Sequence, residues 1–364
     1  MPFGPAQVEQ YFHQVFADDP AQAQRLIAML DEVHDLRDLG SRPYNLRLIQ
    51  HQVDSLEAQR RAGRPVDIAD LYEGLVDDWL HRDDPKHRLE REHKLILMER
   101  LAHRLWASAE RDLNHAQLED WLLDQILAEP RWRDMSYFAY RTQPGRLAIL
   151  HEDLRNASFL VREGEDRFRF AHSSIMEFFL ARSLHRALCA AGANEQPQQT
   201  SADRFQAWSI PRPSPETLSF LGGLIQRRDT ALCLRGLDRL RADYRPHISE
   251  LALAYCLHAH RHRLPGAHLR GFRLAGIALR DQHWQGRPGD WFDCRDLDLT
   301  GADLANGRFE DCDFGGSRLD RADLSRALFD RCRLCDASAE NADLTGTSIH
   351  DCDATGLRAC ERTA

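Results

Sequence analysis

A period of five residues runs through the C-terminal part of the chain, and neither an ordinary helix nor a strand produces it. Leu299, Leu304, Phe309, Phe314, Leu319, Leu324, Phe329 and Leu334 follow at that interval, and after Ala339 it resumes at Leu344 and Ile349. Two positions before these lie mostly small residues: Ala302, Gly307, Cys312, Ser317, Ala322, Ala327, Cys332, Ala337, Ala342, Thr347 and Cys352. Leu269, Leu274 and Leu279 begin the same series upstream. A helix repeats every 3.6 residues and a half-buried strand every two. A period of five therefore implies stacked units, none able to bury its apolar side alone.

A longer period overlies the short one. Phe272, Phe292, Cys312, Cys332 and Cys352 are spaced by twenty residues, so four five-residue sides make one coil. Residues 282–291 interrupt the pattern, with Gln282 and Arg287 where small residues belong. Recovery of the column at Phe292 predicts a loop or distorted corner inside one coil, with the twenty-residue numbering preserved. Residues 267–360 then form between four and five coils, a stack roughly 20 Å long at the spacing of hydrogen-bonded strands.

The runs Ala302-Asp303-Leu304, Ala322-Asp323-Leu324 and Ala342-Asp343-Leu344 resemble the pentapeptide-repeat family. The resemblance implies a right-handed quadrilateral β-helix, with the leucine or phenylalanine and the small residue pointing inward.

Upstream, the chain reads as mainly α. Ile68, Leu71, Leu75 and Trp79 lie on one helical face, widened by Tyr72 and Val76. Residues 94–106 are apolar around most of the circumference and predict a well-covered helix, and Leu118, Trp121, Leu122 and Ile126 mark another. Phe159–Val161 and Arg167–Phe170 flank Glu163-Gly164-Glu165-Asp166, the pattern of a β-hairpin. Ser173 or Ser174 is expected to cap the helix that follows, with Glu177 in capping-box spacing from Ser174. A polar linker over 191–203 and a helical block over about 214–263 complete the region.

Two motifs there carry a second resemblance. Ser41-Arg42-Pro43-Tyr44-Asn45-Leu46-Arg47-Leu48-Ile49 resembles the segment that closes the helical lid of NACHT-type NTPases, members of the STAND class of signalling ATPases. Phe168-Arg169-Phe170-Ala171-His172-Ser173-Ser174-Ile175-Met176-Glu177-Phe178-Phe179-Leu180-Ala181 resembles the winged-helix signature of the same family. The implied organisation is a lid remnant over 1–60, a helical and winged-helix region over 61–190, the linker 191–203, a helical adaptor over 204–264, and the repeats over 267–360. The resemblance also implies that His172 approaches the β-phosphate of bound ADP and that Pro43 lies near the adenine. A histidine joining hairpin to helix, and a proline starting a helix at Tyr44, account for the same residues without a nucleotide.

The nucleotide-binding half itself is missing from the pattern. Only Lys86 and Lys94 occur among 48 basic residues; they follow Pro85 and His93, so neither completes a Walker A loop. The chain also lacks a G-x-S-x-G elbow, an H-E-x-x-H helix and a G-x-G-x-x-G fingerprint. No enzymatic activity and no cofactor are expected of this chain alone. ATP or ADP enters only with a nucleotide-binding half, whether the chain is a fragment, the half is encoded separately, or a start site is misassigned.

Metal and nucleic acid are not expected either. Cys332 and Cys335 form a single C-x-x-C with Cys332 already claimed by the inward column, and His258 with His262 lacks a third ligand fixed by spacing. The repeats from 267 hold 13 arginines against 18 acidic residues, and the whole chain carries a net charge of −9. That balance is the reverse of a nucleic-acid-binding surface. Asp303, Asp323 and Asp343 stack at twenty-residue intervals, the pattern by which some pentapeptide proteins resemble DNA and bind gyrase, although Arg318, Arg321 and Arg326 dilute it. The chain has neither a secretory leader nor a membrane-length apolar run, so a cytoplasmic protein is expected. The function expected is that of a regulatory or sensor portion of a NACHT-like STAND protein, with the repeats contacting a ligand or protein partner. The alternative is an autonomous interaction protein that binds a partner such as a topoisomerase.

Overall fold

The computed structural model describes residues 3–32, 46, 50, 58, 68–83, 90–110, 112–128, 159–164, 166–193, 205–287 and 289–359. Two compact units, Met1–Ala181 and Arg182–Ala364, divide the chain. No helix among the described residues is long and apolar enough to cross a membrane.

The first unit is mainly helical: α1 (Pro5–Val15), α2 (Pro20–Glu32), α3 (Ile68–Asp83), α4 (Arg91–Ala107) and α5 (His115–Ala128). Helix α3 buries Ile68, Ala69, Leu71, Tyr72, Val76 and Leu80, while Leu75 is only half-buried. The inward stripe thus runs through Tyr72, Val76 and Leu80, one turn apart each, and not through Leu75. Helix α4 buries Leu97, Met98, Leu101, Ala102 and Leu105 together with His93, Lys94 and Glu99, as its nearly continuous apolar circumference predicts. Helix α5 opens on a reciprocal cap: Asn114 N–H donates to Gln117 Oε1 (2.9 Å), and Gln117 N–H donates to Asn114 Oδ1 (2.8 Å).

The expected hairpin forms, with strands β2 (Leu160–Glu163) and β3 (Arg167–Phe170) pairing antiparallel from Leu160↔Phe170 to Glu163↔Arg167. Gly164 takes φ +67° in the turn, a conformation that glycine adopts without strain. A short strand β1 (Leu113–Asn114), not foreseen from sequence, pairs with the far side of β3. Helix α6 (Ser173–Ala193) follows. Phe178 meets Tyr72 with ring centroids 5.5 Å apart, and Phe179 meets Phe159 at 5.1 Å, so the helix start and the hairpin share one aromatic core.

The polar linker begins later than its composition indicates, because α6 continues unbroken through Gly192 and Ala193. The adaptor then comprises α7 (Pro215–Arg227), α8 (Thr230–Arg241) and α9 (Ile248–His262). Ser214 caps α7, its Oγ accepting Thr217 N–H at 3.1 Å ahead of Pro215 at the first helical position.

The C-terminal repeats form four parallel ladders. One joins β6 (Arg308–Glu310), β8 (Leu328–Asp330) and β9 (Ser348–His350) in steps of twenty residues. The others run Asp298↔Arg318↔Ser338↔Arg358, Asp303↔Asp323↔Asp343 and Asp313↔Arg333↔Asp353. Every fifth residue from Gly301 to Asp351 has φ between 50° and 70°, which turns the chain onto the next side. The period of five is thus a short extended segment plus one left-handed corner. Small residues recur because the rings between them need room: a Cβ at Gly307 would lie 2.8 Å from Phe309 Cζ.

One coil departs from the expected numbering. Arg273 pairs with Asp298, Ala278 with Asp303, and Trp284 in β4 (His283–Gln285) with Phe309, each 25 residues on. Phe292, in β5 (Phe292–Asp293), pairs with Cys312 in β7 (Cys312–Asp313), at twenty. Phe272 therefore belongs in the column of Leu297, Ser317 and Ala337, and the equal spacing to Phe292 is a coincidence of sequence. The five extra residues leave the coil between Gly286 and Phe292. There Arg287 and Asp290 exchange both backbone hydrogen bonds (2.8 and 2.9 Å) around Gly289 at φ +77°.

The two ends of the coil differ. At the first turns His260 of α9 stacks on Phe292 at 4.1 Å, and its Nε2 lies 3.0 Å from the Gln285 carbonyl oxygen. The buried Arg241 guanidinium donates to the carbonyls of Gly266 (2.9 Å) and His268 (3.0 Å) and to Asp238 Oδ1 (2.8 Å). Arg273 N–H donates to the Arg241 carbonyl at 2.9 Å. The adaptor thus covers the first turns, as a solenoid terminus requires. At the last turn Leu344 and Ile349 remain 37% and 48% exposed.

Candidate functional site

Of the two residues placed at a nucleotide by resemblance, Pro43 lies outside the described residues. His172 immediately precedes α6, and it, not Ser173 or Ser174, caps the helix. Its Nδ1 accepts Ser174 N–H (3.2 Å), and its carbonyl accepts Ile175 N–H (3.2 Å). Tyr72 O–H donates to Ser174 Oγ at 2.7 Å, and Ser174 Oγ lies 2.6 Å from His172 Nδ1. Because Nδ1 already accepts the backbone N–H, the Ser174 hydroxyl also donates to it, and the neutral ring carries its proton on Nε2. The serine is thus the middle of a relay from α3 to the histidine, which is why its hydroxyl does not cap.

The histidines at the start of the repeats do separate jobs. His258 and His262 stack at 4.3 Å, and His258 Nε2 lies 2.9 Å from Ser219 Oγ. Burial, aided by His262, lowers the His258 pKa to about 4. His260 serves the coil, as described above. Cys332 and Cys335 are likewise engaged apart: the buried Cys332 Sγ faces the Phe309 carbonyl (3.2 Å), and Cys335 Sγ faces that of Asp353 (3.8 Å).

The acidic ladder is occupied internally. Asp303, Asp323 and Asp343 each accept the backbone N–H two residues on, at 3.1, 2.9 and 2.9 Å, so they hold the corners. Arg280 reaches Asp303 at 3.1 Å and Asp323 at 3.6 Å. Arg331 pairs with Asp311 and Asp330, and Arg333 lies over the Trp291 ring at 4.3 Å. The outer surface is therefore a mixed lattice of charge and not a continuous anionic rail.

One further cluster is not foreseen from the sequence. His185 and Cys189, one turn apart on α6, meet Cys233 of α8, with one donor atom from each within 4.8 Å of the others. The sulfurs are 3.2 Å apart, and both ring nitrogens of His185 are 3.8 Å from Cys189 Sγ. The hydrogen bond with Cys233 lowers the Cys189 pKa to about 5 against the opposing effect of burial, and His185 adds to it. The same bond and burial push the Cys233 thiol up. The H-x-x-x-C spacing was legible in the sequence; its partner 44 residues on was not.

A parallel coil with four ladders and inward columns of leucine, phenylalanine and small residues defines a repeat module that presents an extended outer surface. Residues 293–331 and 322–356 match the family model of pentapeptide repeats, with eight copies, and the C-terminal region is a pentapeptide-repeat domain. Similar solved structures include a pentapeptide repeat protein from the thylakoid lumen of Arabidopsis thaliana, 28% identical over 25% of this chain and 63% of that one, with a TM-score of 0.16. Rfr23, a pentapeptide repeat protein from the cyanobacterium Cyanothece 51142, is 16% identical over 24% of this chain and 87% of its own, with a TM-score of 0.15. HetL, a pentapeptide repeat protein involved in heterocyst differentiation regulation in Nostoc sp. strain PCC 7120, is 22% identical over 24% of this chain and 52% of its own, with a TM-score of 0.15. No curated protein matches the chain.

Proposed function

We propose that the chain is a non-catalytic, cytoplasmic regulatory and sensor element of a NACHT-like STAND switch. Its pentapeptide coil, a right-handed four-sided β-helix, takes up a ligand or protein partner. The observation that carries this reading is the asymmetry of the coil. The first turns are covered by the adaptor, while among the described residues Leu344 and Ile349 near the other end stay exposed. Neighbouring exposed apolar side chains on a repeat stack form a surface that a partner can cover.

The STAND context draws on the helical unit. Among the described residues a helix, a short strand, a helix, a hairpin and a helix follow in that order, which is compatible with a winged-helix module, and His172 stands at the joint between hairpin and helix. In a complex with a nucleotide-binding half, the His172 Nε2 proton would meet the β-phosphate of ADP at a helix N-terminus, which favours anions. Pro43 would border the adenine. The topoisomerase alternative needs an anionic rail, and Arg280 across Asp303 and Asp323 disfavours it.

The test is to identify a Walker A and B reading frame beside or continuous with the gene and to co-express its product with the full chain. A complex that retains ADP, and loses it with His172→Ala at unchanged helix content, is expected. The absence of such a frame, or equal ADP retention by the variant, refutes the STAND reading.

A further inference from the structure

We propose that His185, Cys189 and Cys233 bind one zinc-class divalent cation through an imidazole nitrogen and two thiolates, with water in the fourth position. Two glycines bring the cluster together. A Cβ at Gly192 of α6 would lie 2.0 Å from the Leu232 carbonyl oxygen, and one at Gly236 of α8 would lie 2.5 Å from that of Leu188. Each helix thus presses a glycine against the backbone of the other, and this reciprocal contact holds Cys189 opposite Cys233. Any side chain at either glycine would part the helices and separate the sulfurs.

The third ligand is already oriented. His185 Nε2 lies 3.2 Å from the Arg228 carbonyl oxygen. A carbonyl only accepts, so Nε2 carries the proton and Nδ1 keeps its lone pair. A backbone carbonyl that fixes the tautomer in this way is the usual outer partner of a metal-bound histidine. Two sulfurs and one imidazole form a donor set suited to zinc and poorly suited to magnesium or calcium. With Zn–S distances of about 2.3 Å, tetrahedral geometry places the sulfurs about 3.8 Å apart. The observed 3.2 Å requires them to open by about half an ångström. Cys233 is buried, whereas His185 and Cys189 are half-buried, so the cluster faces solvent on the side where an ion enters and water completes its shell. An ion there would pin α6 to α8, the helix pair that leads into the covered end of the coil.

The experiment is a cobalt(II) titration of the reduced, metal-free full chain, followed by zinc. One cobalt per chain is expected, with a thiolate-to-metal charge-transfer band in the near ultraviolet and the ligand-field bands of a tetrahedral site, all removed by equimolar zinc. H185Q, C189S and C233S should each weaken cobalt binding by more than about 100-fold, beyond the effect of losing an outer partner. C335S, at the unrelated C-x-x-C, should leave it unchanged. H185Q and C189S alter half-buried positions and keep the test valid if C233S does not fold. Absence of thiolate–cobalt bands in the wild-type chain overturns the proposal. So does persistence of the bands in C189S, or a Cys189–Cys233 disulfide that forms despite stoichiometric zinc.

Discussion

Phe309→Ala tests whether the coil is held together by its stacked central rings. Phe309 is fully buried, and its ring lies 4.9 Å from Phe329, 5.3 Å from Trp284 and 5.5 Å from Phe314. Removing a buried phenylalanine ring costs about 3–5 kcal/mol, because the lost transfer energy is joined by a cavity that collapses only in part. Rigid coils above and below limit that collapse, so a value in the upper half of the range is expected. Since 1.4 kcal/mol is a factor of ten, the opening equilibrium around the site shifts by about 700- to 4,000-fold. Stability in a solenoid is a sum of nearest-neighbour terms, so the effect should remain local. Hydrogen exchange followed by mass spectrometry reads this directly. The amides of Leu319, Leu324 and Leu334, which donate to the following coil, should exchange faster by that factor. Those of Leu251–Tyr255 in α9 should change less than tenfold. Acceleration below tenfold in the coil, or an equal rise in α9, would show that the stacked rings do not hold the coil together.

Three further outcomes follow from particular contacts. Gly286→Ala places a Cβ 2.1 Å from the Asp311 carbonyl oxygen and should lower the melting temperature far more than Gly289→Ala, where the Cβ meets nothing within 4 Å and only its positive φ is penalised, at about 1 kcal/mol; equal shifts in a thermal melt would contradict the chain path at the insertion. Arg241→Leu strips the Gly266 and His268 carbonyls of a donor and should destabilise by about 1–3 kcal/mol for each, as measured by urea unfolding; a loss under about 1 kcal/mol would show that water replaces the guanidinium. Burial lowers the pKa values of His258, His260 and His268, so the unfolded chain binds more protons than the folded one, and stability rises with pH through that window. For His258 the window runs from about 4 to 6.5, so urea midpoints should fall as pH drops across it, with a shallower slope in H258Q; an unchanged slope would remove His258 from the account.

The repeats were legible because a five-residue period has few physical causes. A loop within 282–291 was legible as well, but that it adds five residues to its coil was not, for a specific reason. An insertion of five residues preserves the phase of a five-residue period, so the columns continue in sequence while the pairing jumps from twenty to 25. Only a backbone contact, such as that of Gly286 with the Asp311 carbonyl, reveals which side was lengthened. The hairpin before α6 was visible in its turn residues, but its cap was not. Two serines followed the hairpin, and a hydroxyl claimed by Tyr72 from another helix cannot serve as the cap. The His185–Cys189–Cys233 cluster is half local and half tertiary. The one-turn spacing is written in α6, whereas the approach of Cys233 depends on glycines whose meaning appears only when both helices are in place.

Docking of a partner at the exposed Leu344 and Ile349 is the step on which the proposed function rests. With lysine confined to Lys86 and Lys94, a photo-crosslinking residue placed by substitution is the suitable probe. His350, exposed on β9, is the test position, and Arg273, exposed on the first coil, is the control. Irradiation of source cells should give a discrete covalent adduct from position 350, lost when Leu344→Lys and Ile349→Lys are combined, and none from position 273. Adducts of equal yield from both positions, or an adduct at 350 that survives the double substitution, would contradict the account.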